Sequence, residues 1–240
     1  MKDSLLYPEG TNNNVTNEKL VHKFDETFEV NSRRPRPWKG AKETGYVWFN
    51  DLRISHFLYA IPTLAIVATV GFLLIQLPVL SWGWWQALGG HGSIIFLSYG
   101  KRDSWMSDVF PLTMVIAVSF WVFRLASDEE LQFRRDSQHY TRRGILLFAF
   151  IFGLAHMIMG IPLGLALALS LGGLVFSWHY LRAYNRKLDR TFMHEEQAHQ
   201  YKEMQALKSS TLHHAAYNIL ALSAAAVAFI VDILFKVGVL

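Results

Sequence analysis

The 240-residue chain contains no cysteine. It therefore cannot build a disulfide framework, a thiol nucleophile or a cysteine-ligated metal site. Charge is scarce as well: 18% of the residues are Asp, Glu, Lys or Arg, and the formal net charge is +4. That small excess is spread over several polar segments, so no nucleic-acid partner is expected. The first 54 residues lack a short basic stretch running into an apolar core, and no secretory leader is expected there. Internal repeats and low-complexity tracts are also missing.

What the chain does have is apolar sequence, 52% of its residues, yet its mean hydropathy is only +0.19. Very apolar segments alternating with very polar ones give that combination, which is the profile of a multi-span membrane protein. The expected fold is all-α: a polytopic helical membrane protein of about five transmembrane helices plus interfacial and amphipathic helices. Residues 1–54 form a polar tail with turn-forming runs (EGTNNN) and a basic, proline-containing segment (RRPRPWKG); residues 55–240 form the membrane domain. The tail composition is that of a disordered cytosolic segment. It is also the part through which other subunits of a membrane complex would be contacted.

The apolar runs fall at 56–80, 109–126, 144–160, 162–181 and 213–235, each close to the roughly 20 residues a spanning helix needs. Pro62 lies in the first and is expected to kink it. Between the first two runs, Trp82, Trp84, Trp85 and the Gly89–Gly90 pair suggest an interfacial helix and loop. Residues 185–208 read as a charged amphipathic helix outside the bilayer. Basic residues cluster before the first run, after the second and after the fourth. The positive-inside rule then puts the N-terminus in the cytoplasm and the C-terminus outside, in a plasma or inner membrane. Membrane lipid is the first expected partner.

Three short patterns interrupt the apolar runs. Glu129 and Glu130 stand side by side, with Arg134 four residues after the second. Carboxylates next to bilayer-depth segments are costly, roughly 2.5–3.5 kcal/mol each on insertion scales, so they pair or do chemistry. Glu130 and Arg134 share a helix face in the favourable order for an ion pair. Glu129, turned about 100° away, is left without that partner. Phe152 and His156 lie in the third run, and His214 and Asn218 open the last, each pair at i, i+4 and so on one face. Taken singly, each has a plainer explanation: a core histidine, an interfacial histidine pair at His213–His214, an asparagine that bonds between helices. A further pattern is set aside: in HEEQAH, His194 and His199 are five apart, about 140° around a helix, and cannot grip one ion together.

In this order, EExxxR, FxxxH and HxxxN resemble the three motifs of the CAAX-protease and bacteriocin-processing family (CPBP). These are glutamic intramembrane endopeptidases related to the type II CAAX prenyl protease. The resemblance covers roughly residues 105–235. It implies that Glu129 activates a water, that His156 and His214 hold the water and the substrate carbonyl, and that Asn218 stabilises the oxyanion. Glu130, Arg134 and Phe152 would shape the site. It further implies a peptide or membrane-protein substrate and a metal-free mechanism, so no cofactor is expected. By residue type the same glutamate and histidines could also ligate zinc. Arg135 stands where many members carry glycine, and the polar stretch after the fourth run is longer than usual. A second class of function therefore stays open: a catalytically silent accessory or scaffold subunit of a larger membrane complex. For the motifs to meet, the helix bearing Glu129 must dip inward, or the third span must be broken or tilted, because His156 lies about 20 Å into its run.

Overall fold

The computed structural model describes residues 50–87, 90–91, 98–99, 106–186 and 195–239. Most of the expected N-terminal tail, the Gly89 half of the glycine pair and His194 lie outside these residues. The described chain is helical: α1 (Ile54–Ile75), a single-turn α2 (Trp84–Ala87), α3 (Met106–Ser119), α4 (Val122–Phe133), α5 (Arg142–Ala155), α6 (Leu163–Tyr184) and α7 (Glu195–Lys236). The one extended pairing among the described residues is a two-residue antiparallel match of Gly90–His91 with Ser98–Tyr99.

Four helices are long and apolar enough to cross a membrane, and a bent pair raises this to five. Burial supports the same conclusion. Large apolar side chains such as Ile61, Phe72, Leu146, Phe150, Val227 and Phe235 face outward, while Glu130, Arg134, Ser177, His179, Ser210 and His214 are buried. A soluble domain buries its apolar groups and exposes its charges. This inverted arrangement belongs to a protein whose solvent is hydrocarbon.

α6 is the central helix, packed by α1, α5 and α7. Small residues permit the close crossings. A Cβ added at Gly153 of α5 would strike Ser170 and the Ala166 carbonyl, and one at Gly173 of α6 would lie 3.0 Å from Phe152 and 3.1 Å from the Ala149 carbonyl. Without a hydrophobic drive between helices in lipid, such backbone approach is a main source of association. The connection from α5 to α6 is tight because Gly160 takes φ +80° and Pro162 caps α6. Pro62 sits inside α1, which remains a single helix.

Two expectations about the spans change. The second run is broken: helices over Pro111–Ser119 and Val122–His139 meet at 69°. At the break the amides of Phe120 and Trp121 bond back only three residues, to Ala117 and Val118, and the Ser119 hydroxyl donates to the Val115 carbonyl. Back-bonding of this kind bends helices and ends the regular ladder. The second change is that the amphipathic helix and the last span are one rod, α7, with no Gly or Pro in 42 residues. At 1.5 Å per residue it is about 63 Å long, twice the roughly 30 Å of a hydrocarbon core. Its middle, Ser210–Tyr217, is buried in the protein, whereas its last 18 residues include exposed Val227, Ile230, Val231 and Phe235. The Ser209–Ser210–Thr211 run could have capped a new helix. Instead the Ser210 hydroxyl is spent on tertiary partners: its single proton is shared between the Phe176 carbonyl, at 3.0 Å, and the Glu130 carboxylate.

Candidate active site

The 69° bend carries α4 back against α7, and this places Glu129 and Glu130 beside His214. Glu130 is fully buried. One of its oxygens accepts a hydrogen bond from His214 Nδ1 at 2.9 Å and lies 3.6 Å from Arg134 Nη1; the other accepts from Ser210 Oγ. Arg134, 1% exposed, caps α4, donates from Nη2 to the Gly173 carbonyl at 3.2 Å, and lies 4.1 Å over the Phe152 ring. The ion pair expected from the i, i+4 spacing is therefore present and wholly desolvated. Such a pair persists only with support from further hydrogen bonds; Ser210 and His214 give it to Glu130 and the Gly173 carbonyl to Arg134 Nη2, while Arg134 Nη1 has the ion pair alone.

Glu129 is in a different state. Its side chain is 29% exposed, but its Oε2 is buried and receives no hydrogen bond. That oxygen lies 3.4 Å from His214 Nε2 and 4.0 Å from His156 Nε2. The other ring nitrogens define the tautomers. His156 Nδ1 is 2.8 Å from the Phe152 carbonyl and His214 Nδ1 is 2.9 Å from the Glu130 carboxylate. Both partners are acceptors only, so both Nδ1 atoms carry the proton, and in the neutral ring each Nε2 presents a lone pair. Three acceptors thus converge with no donor among them. A water, with two protons to donate, satisfies two of the three. Protonation of one histidine, or a cation, also relieves the arrangement.

The rings hold the histidines in place. Phe152 touches His156 and His214 edge-on at 4.8 and 5.6 Å, and Phe133 and Phe176 at 5.4 and 6.2 Å. Phe176 stacks on His214, centroids 4.3 Å apart. α5 ends at Ala155 and His156 begins a short 3-10 turn, His156–Met159, so the third span tightens at the histidine but continues as one span, Arg142–Met159.

Of the residues expected from the sequence, Glu129, Glu130, Arg134, Phe152, His156 and His214 are brought together. Asn218 lies one helical turn, about 6 Å along the axis, beyond His214 on the same α7 face. It is half-buried and makes no hydrogen bond among the described residues. Two site residues escaped the sequence reading. Ser210 was detectable, since it precedes His214 by four residues and so shares its face. Phe176 was not, because nothing distinguishes it from the other large apolar residues of α6. His199 of the HEEQAH pattern is bonded to the Tyr184 hydroxyl at 2.9 Å and packs edge-on with His139. Among the described residues no group of three His, Asp or Glu side chains is gathered to hold a metal ion. Compared with family models, curated proteins and solved structures, the chain finds no match.

Proposed function

We propose that the protein is an intramembrane endopeptidase of the CPBP type, hydrolysing a peptide bond with a water activated by Glu129. The observation that carries this reading is the meeting of Glu129 Oε2 with the Nε2 atoms of His156 and His214. A water placed there donates one hydrogen bond to the carboxylate and the other to a histidine, and a lone pair of its oxygen is left to attack. In the reaction Glu129 takes the proton as the C–O bond forms and later returns it to the leaving amine. The two histidines orient the water. Asn218 supplies a hydrogen bond to the oxyanion; loss of one such donor lowers turnover on the order of 10²–10³. Glu130 takes no proton in this scheme: with Arg134 and Ser210 it sets the His214 tautomer and angle, the usual task of a partner behind an active histidine.

The test is hydrolysis of a peptide library by the purified protein in liposomes, read by mass spectrometry, with Glu129→Gln beside the wild type. The expected result is cleavage by the wild type, unaffected by a zinc chelator, and none by the variant at equal thermal stability. Chelator sensitivity would replace this mechanism with a zinc-dependent one on the same three atoms. Equal cleavage by the two proteins overturns it. So does the absence of any cleavage, which favours the accessory-subunit reading. The proposed orientation, with the start of α1 in the cytoplasm, is separately testable because the chain has no cysteine. A single Arg142→Cys should resist an impermeant maleimide in intact cells and react after lysis.

A further inference from the structure

Away from the glutamate site, the end of the bundle where α1 begins and α6 finishes holds a cavity of about 470 Å³. Its lining contains five permanent cations, Arg53, Arg182, Arg186, Lys202 and Lys208, against one acid, Asp51. Asp51 is already paired with Lys208 at 2.5 Å. The remaining cations find no carboxylate in the lining. Arg182 and Lys202 lie over aromatic faces instead, Trp178 at 5.0 Å and Tyr184 at 5.6 Å, and Arg53, Arg182 and Arg186 are exposed. Like charges held around one hollow repel each other, so the arrangement is relieved by an anion.

Two further features point to the same ligand. α1 starts at this cavity with no acid in its first turn. The Arg53 and His56 amides are taken by His56 Nδ1 and the Arg53 carbonyl, but the positive field of a helix start still favours a phosphate-like anion. The inner wall is aromatic: His179 stacks on His213 at 3.5 Å, and His56 and Tyr59 meet His213 at 4.8 and 5.7 Å. Tyr59 is also 46% exposed on the first turns of a spanning helix. The cavity thus grades from a cationic mouth to a ring-lined wall beside the apolar surface. This is the profile of an amphiphile whose anionic group sits at the membrane surface. Arginines suit phosphate in particular, because a guanidinium can give two parallel hydrogen bonds.

We propose that this cavity binds a phosphate group, carried by an anionic phospholipid lying against α1. The test uses the full chain in detergent and native mass spectrometry. Phosphatidylglycerol, phosphatidylcholine and inorganic pyrophosphate are added separately to the wild type and two double variants. In one, Arg182→Gln with Arg186→Gln removes two cavity cations. In the other, Arg142→Gln with Arg143→Gln removes two exposed cations at the start of α5, outside the cavity. The expected result is retention of phosphatidylglycerol over phosphatidylcholine by at least fivefold, lost in the cavity variant and kept in the control. Retention of pyrophosphate but not of phosphatidylglycerol, lost in the same variant, upholds the phosphate site and transfers it to a soluble ligand. Equal losses in the two variants reduce the effect to general surface charge and overturn the proposal, as does the absence of any anion preference in the wild type. All four arginines are exposed, and a melting curve for each variant excludes misfolding as the cause.

Discussion

His213 and His214 are neighbours on α7 and belong to two different sites. His214, 2% exposed, faces the glutamates. His213 faces the basic cavity and stacks on His179. The 100° step of an α-helix separates them, and the two surroundings are near opposites in charge. Around His214 there are two carboxylates and one arginine, and most polar atoms have partners; Glu129 Oε2 and Arg134 Nη1 are buried without a hydrogen bond. Around His213 the cations outnumber the acids and face open space. The first arrangement uses burial to fix geometry, with each hydrogen bond constraining the next. The second leaves charge unbalanced and accessible. On the proposed readings, one serves a reaction and the other holds an anion.

Substitutions can break that contrast or sharpen it. Glu129→Gln should have the largest effect, lowering hydrolysis by about 10²–10⁴-fold, the usual range for a general base, while the melting temperature stays close to that of the wild type. Glu130→Ala should act first on stability, and it should also lower hydrolysis through the His214 that Glu130 positions. It leaves Arg134 charged, buried and unpaired, a change that destabilises by about 3–5 kcal/mol, so unfolding in denaturant should shift strongly. If these two adjacent glutamates gave the same change in stability, the division between a working acid and an anchored acid would be wrong. Gly173→Ala comes next. Its new methyl meets Phe152 and the Ala149 carbonyl, and overpacking of this sort costs about 1–3 kcal/mol. It should also lower activity by displacing the ring that supports both histidines. His213→Ala should have the smallest effect on turnover, with at least half of the wild-type rate retained, whereas His214→Ala abolishes it. A large loss on His213→Ala would show that the two sites are coupled across α7.

Much of the glutamate site was legible because its clues are local. The spacing of Glu130 and Arg134 gave their pairing, and the pairs Phe152–His156 and His214–Asn218 gave shared faces. Ser210 follows from the same arithmetic. That Glu130 and not Glu129 pairs with Arg134 was also readable, since adjacent helix residues point about 100° apart. The break at residues 119–122 and the continuity of α7 were less accessible. Ser119 bends its helix only because its hydroxyl bonds back to Val115. Ser210 fails to start a new helix because Glu130 and the Phe176 carbonyl take its hydroxyl. Each outcome depends on where a side-chain proton goes, and one of those partners is 80 residues away in sequence. The basic cavity was seen only as scattered topology signals, since Arg53, Arg182 and Lys208 come from three separate helices or their flanks.

By itself the sequence determined the helical class, the apolar segments and which residues share a helix face, because 3.6-residue periodicity and hydropathy are properties of short stretches of chain. The tertiary structure alone decided that Glu129 meets His156 and His214, and that His213 turns to another site. Those contacts depend on crossing angles and on one bend, which are set by how glycines, rings and buried hydrogen bonds from distant segments pack together.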